Sequence, residues 1–110
     1  MISHEIVRTT SRELERRRSN GAFPASIFRH EDYAKRSLTR LNIVLNSVAP
    51  DRAARLRLTE AVFGRAVEST LDLTLGEIQA FLRFAFPQGG ITLDSEFKEY
   101  LCRTATSSVS

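Results

Sequence analysis

Between Asp51 and Ser69 the chain reads as a helix whose apolar residues fit no single narrow stripe. Ala54, Leu58, Ala61 and Val62 lie on one side. Leu56, Phe63 and Val67 lie well around from them. Arg57, Glu60, Gly64 and Glu68 take the remaining arc. A helix that is apolar over about half its circumference needs two neighbours, supplied by the same chain or by a second one. With 110 residues the chain has room for one domain. These constraints predict an all-α fold of four or five helices in a small bundle.

The other elements follow from periodicity and stop signals. Residues 31–48 carry Ala34, Leu38, Leu41, Leu45 and Val48 at steps of four and three, the seam of an inward-facing helix. Ala49-Pro50-Asp51 is a tight joint, with Asp51 placed to cap the next helix. Leu73-Thr74-Leu75-Gly76-Glu77-Ile78 is the clearest local signal. Thr74 and Glu77 have capping-box spacing, and Leu73 and Ile78 that of a hydrophobic staple. The helix they open is predicted to end at Phe86, before Pro87 and Gly89-Gly90. A last helix is expected from Asp94 or Ser95 to Arg103, followed by a frayed tail over 104–110. Residues 71–75 and 90–94 alternate apolar and polar, so a two-stranded β-ribbon is the competing reading there.

Residues 1–20 read as a basic N-terminal helical arm beside a helical domain over 21–103. Only Ile6, Val7 and Leu14 are large and apolar in that stretch. Thr10-Ser11-Arg12-Glu13 could restart the helix. Residues 21–29 form a connector around Pro24, with Phe23, Ile27 and Phe28 as anchors. Arg8, Arg12 and Arg16 fall one turn apart and form a charged stripe. So polar a segment is expected to stand off the core until a partner orders it.

Several function classes recede on residue inventory. One cysteine, Cys102, allows no disulfide within the chain and no multi-cysteine zinc site. Cys102 is expected as a small buried hydrophobe, without the features of a reactive thiol. Two histidines leave little for catalysis or metal binding, and His30-Glu31-Asp32 splays around a helix start. No apolar stretch is long enough to span a bilayer or to serve as a signal peptide. The chain is expected to be a cytoplasmic protein with no cofactor, no metal and no enzymatic activity.

Charge and spare apolar surface point instead to binding. The net charge is +3, with 14 arginines and 2 lysines. Residues 1–58 hold 12 basic and 6 acidic side chains, whereas 59–110 hold 4 and 7. Arg8, Arg12 and Arg16, with Phe84 pointing away from its helix's inward face, are the candidate partner-binding residues. Leu56, Phe63 and Val67 form a second apolar face and are the candidate homodimer interface. The expected function is a small regulatory protein that binds and controls a partner protein, such as a transcription factor, as a homodimer. A small DNA- or RNA-binding regulator using the Arg-rich half is the alternative. In its architecture (small, helical, Arg-rich, without a catalytic set) the chain resembles bacterial antiactivators that bind quorum-sensing transcription factors. The resemblance implies a non-enzymatic regulator. It rests on no motif and transfers no residue roles.

Overall fold

Four helices start where a short polar side chain takes an orphaned backbone N–H. The computed structural model describes residues 2–17 and 32–109. It contains helices α1 (His4–Arg17), α2 (Asp32–Val48), α3 (Arg52–Phe63), α4 (Leu75–Ala85) and α5 (Ser95–Val109), with a 3₁₀ turn at Thr70–Asp72. Ser3 Oγ accepts from Ile6 N–H at the head of α1. Asp51 Oδ2 accepts from Ala54 N–H, Thr74 Oγ1 from Glu77 N–H, and Asp94 Oδ2 from Phe97 N–H. The fold is all-α, with no strand among the described residues. The ribbon reading is thereby corrected. Residues 70–72 close into a 3₁₀ turn capped by Ser69, and 90–94 form an irregular link tied by Asp94 N–H to Ala85 O at 2.8 Å.

The core joins all five helices. Leu41, Val44 and Leu45 of α2 meet Leu58 and Val62 of α3, Ile78 and Phe81 of α4, and Phe97 and Leu101 of α5. Phe81 and Phe97 pack edge to face with centroids 5.1 Å apart. Burying each such side chain contributes about 1.5–3 kcal/mol. Arg55 fixes the α2–α3 corner, donating to Asn46 Oδ1 at 2.9 Å and to the Pro50 carbonyl.

Several sequence-based boundaries move. α3 ends at Phe63, not near Ser69, because Gly64 takes the left-handed conformation (φ 69°) and its N–H closes on Glu60 O. Leu56 and Phe63 are therefore the only members of the second apolar face inside α3. Val67 reaches the core from the link beyond it. α5 continues past Arg103 to Val109. Thr104 is buried and returns its Oγ1 hydrogen to Tyr100 O, so the tail expected to fray is helical through 109. The connector residues Phe23, Pro24, Ile27 and Phe28, together with His30 and Glu31, lie outside the described residues.

The largest correction concerns α1. It is one unbroken helix, docked on α4 and also touching α3. Val7 is fully buried and Leu14 is 8% exposed. Between them Ser11 is buried without cost, since its hydroxyl donates to Val7 O at 2.8 Å. That bond takes the place of a helix restart. Residues 4–17 are thus part of the domain and not an arm beside it.

Two glycines let α1 come close. A Cβ at Gly64 would lie 2.6 Å from Arg8 Cδ. A Cβ at Gly76 would lie 2.4 Å from Glu15 Oε1. At its start, α1 is clasped to α5 by a 2.7 Å hydrogen bond between His4 Nδ1 and Tyr100 Oη, with the rings 5.3 Å apart.

Two predictions follow from this packing. Gly64→Ala forces a β-carbon into a left-handed position and against Arg8. Urea denaturation should show a loss of about 1–2 kcal/mol. The second concerns pH. Burial, helped by the Arg8 charge, holds the His4 imidazole below its ordinary value of 6.5, while burial pushes the Tyr100 hydroxyl up to about 12. The unfolded chain therefore takes up the His4 proton first. This contribution to stability is present above pH 6.5 and is lost as pH falls from there through the folded-state value. Thermal melts between pH 7.5 and 5.5 should show that decline, and His4→Gln should flatten it.

Candidate functional site

α1 does not lie flush along its whole length. Between α1 and the junction of α3 with α4 a cleft of about 280 Å³ remains, lined by Arg8, Ser11, Arg12, Glu15, Phe63, Gly64, Arg65, Thr74 and Glu77. α1 supplies one wall because residues 8, 12 and 15 fall within two turns on adjoining faces. The opposite wall is the turn created by the left-handed Gly64 and the capped start of α4.

That opposite wall is a tightly bonded node. Arg65 Nε donates to Glu77 Oε2 at 3.0 Å, and its Nη2 donates to Glu77 Oε1 at 2.7 Å. The same Nη2 reaches Asp72 O at 2.7 Å. Glu77 Oε1 also accepts from Thr74 N–H at 2.9 Å, completing the capping box expected from sequence. Glu77 is only 8% exposed, so its charge is held by paired donors and by the N-terminal end of α4. The Glu77 hydrogen bond raises the Arg65 guanidinium further above its ordinary value, against the opposing effect of burial.

Thr74 works twice. Its Oγ1 accepts from Glu77 N–H and donates to Glu15 Oε1 of α1. The Glu15 carboxylate thus rests on the N-terminal turn of α4, in the space that Gly76 leaves open. Its other oxygen, Oε2, is buried with no hydrogen-bond partner among the described residues.

The residues singled out from sequence separate into three groups. Arg8 and Arg12 come together on the cleft, Arg8 half-buried over Gly64 and Arg12 exposed at the mouth. Arg16 is exposed one turn further along α1, clear of the cleft lining. Among the described residues none of the three makes an ion pair. Phe84 is not a free surface ring. It is half-buried and stacks on Phe97, with centroids 6.0 Å apart and planes at 21°.

The expected dimer face is corrected. Phe63 is 5% and Val67 is 4% exposed within the single chain, with Phe63 against Phe81 at 6.4 Å. Leu56 is half-buried beside Asn42, Arg52, Arg55, Ser69 and Thr70. The second face of α3 is covered from inside the chain, and α1, judged too polar from sequence to serve, is part of the cover. Cys102 is exposed, contrary to the expectation of a buried thiol.

Sequence reasoning missed Glu15, Arg65 and Gly76 as site residues. Arg65 and Glu77 are twelve positions apart, and no local spacing pairs them. The capping box at Thr74 was the one available pointer to this end of α4. Among the described residues no helix is long and apolar enough to cross a membrane, and no group of three His, Cys, Asp or Glu side chains could hold a metal. Comparison with protein-family models, with curated proteins and with solved structures finds no match to this chain.

Thr74 carries the prediction for this site. Thr74→Ala removes an N-cap and also the donor to Glu15. Chemical denaturation should show a loss of about 2 kcal/mol, the upper end for a cap. Thr74→Ser should recover most of it, because the hydroxyl is what both contacts use.

Proposed function

We propose that the protein is a non-enzymatic regulator that acts by docking on a partner protein, in the manner of the antiactivators it resembles in architecture. The contact is the outer face of α1. One observation carries this reading. Arg12 and Arg16 stand exposed one turn apart, among the described residues without ion pairs, on a helix whose other side is locked into the core. A helix already seated on the core needs no backbone ordering when it meets an acidic surface, and forked guanidinium groups suit carboxylates. The homodimer expected from Leu56, Phe63 and Val67 forms no part of the proposal, since two of those residues are in the core.

The test is capture from native lysate, with and without nuclease, using wild-type protein and the Arg12→Glu/Arg16→Glu double variant. The expected outcome is a protein partner that survives nuclease and binds the double variant about tenfold more weakly or worse. Circular dichroism should be unchanged, because exposed charges contribute little to stability. A ligand that disappears with nuclease, and whose affinity falls steeply as salt rises, would replace this reading with nucleic-acid binding. Equal capture by the double variant removes α1 from the contact.

A further inference from the structure

We propose that the cleft between α1 and the α3–α4 junction receives one apolar side chain of an acidic peptide segment, whose neighbouring carboxylate is held by Arg12 and Arg8. This rests on the docking reading above and specifies the chemistry of the docked segment.

Size narrows the occupant. The cleft measures about 280 Å³. Pockets for whole drug-sized molecules run about 300–1,000 Å³. The space suits one large side chain with its stretch of backbone. Its apolar lining comes from Phe63 and from the carbon stem of Arg8, which lies against Gly64. An aliphatic or aromatic side chain entering there leaves water for an apolar surface.

Charge selects what flanks that side chain. Of the cleft's cations, Arg65 is already committed to Glu77 and Asp72 O. Arg8 and Arg12 have no such partner among the described residues. Of the two carboxylates in the walls, Glu77 is held by Arg65 and Thr74, and Glu15 receives the Thr74 hydroxyl on one oxygen, which leaves two free guanidinium groups against one half-satisfied carboxylate. The uncommitted charge at the mouth is therefore positive. A carboxylate next to the inserted side chain satisfies it, with forked geometry available from either guanidinium. A phosphate backbone would supply charge but nothing to meet the apolar lining.

The test uses full-length ¹⁵N-labelled protein and fluorescein-labelled hexapeptides, each with a central Leu or Phe flanked by Asp and Glu. The expected result is saturable binding that shifts the backbone amides of Ser11, Gly64, Arg65 and Thr74. Arg12→Glu should weaken binding about tenfold, and the charge-matched Arg57→Glu, exposed on α3, should leave it unchanged. Replacing the central Leu by Ser in the peptide should also cost about tenfold. Three results would overturn the proposal. One is binding indifferent to the apolar side chain, with Arg12→Glu and Arg16→Glu equally harmful. That would leave ridge contact through charge alone and preserve the docking reading. A second is shifts confined to residues outside the cleft. The third is no binding by any peptide of the set. In that case the lysate capture decides separately whether α1 docks on a partner at all.

Discussion

The close approach of α1 to the α3–α4 junction is the contact on which the remaining structure depends. Of the large apolar side chains of α1, Val7 joins the core and Leu14 is buried at its edge. Two such side chains contribute about 3–6 kcal/mol, little against the cost of ordering a fourteen-residue helix. The balance comes from proximity. Gly64 and Gly76 remove two β-carbons, and the Arg8 stem and Glu15 carboxylate occupy the vacated space. Arg8 and Glu15 are seven residues apart, close to two helical turns, so both point to the side that also carries Val7, Ser11 and Leu14. α1 is seated by two notches and one serine that satisfies itself. With α1 in place, Val7 joins the core around Phe63 and the second face of α3 needs no further cover.

The bonded node around Glu77 explains why the second notch is stiff. Glu77 closes the capping box, receives the fork of Arg65 and is nearly buried. Arg65 is 39% exposed, so solvent screens the attraction, and the pair should add little net energy by itself. Its effect is geometric. Arg65 also bonds Asp72 O, which ties the link after Gly64 to the start of α4. Removing Arg65 would leave a buried carboxylate short of donors, and that is costly even where the intact pair is nearly neutral. The same node holds Thr74 with its hydroxyl aimed at Glu15, so the capping of α4 and the docking of α1 share one side chain.

Local chemistry was legible in the sequence, and long-range proximity was not. The Thr74–Glu77 box, the Asp51 cap, the Pro50 joint and the stop after Phe86 all appear where spacing predicts them, because each is settled within four residues. The wide apolar arc of α3 correctly implied more than one neighbour, since α3 packs against α1, α2 and α5, but the helix with most of its residues buried is α4. α1 was misjudged because counting large apolar residues ignores what glycines opposite a helix permit. Gly76 read as an incidental member of a capping motif. Gly64 sat inside an apolar-periodic run, where nothing local says whether a glycine ends the helix. Once the helix does end there, Phe63 turns to Phe81 and the supposed dimer face disappears. Half of the candidate site, Arg8 and Arg12, was visible as a stripe. The other half, Arg65 and Glu15, meets that stripe only after the chain has folded.

One helix therefore does two jobs under the docking proposal. Its inner side closes the core and its outer side meets the partner, with the cleft spanning both. A segment held between Arg12 of α1 and Phe63 of α3 touches two elements that are neighbours only in the folded chain. It cannot bind an unseated α1 in the same way. Binding must then stabilise the fold, by about 2.7 kcal/mol at a hundredfold excess over Kd. The linkage runs in reverse as well. Whatever weakens the seat of α1, such as protonation of His4 at its clasp with Tyr100, weakens the binding surface with it. Affinity for an acidic partner and stability of the α1 contact are thus two readings of one equilibrium.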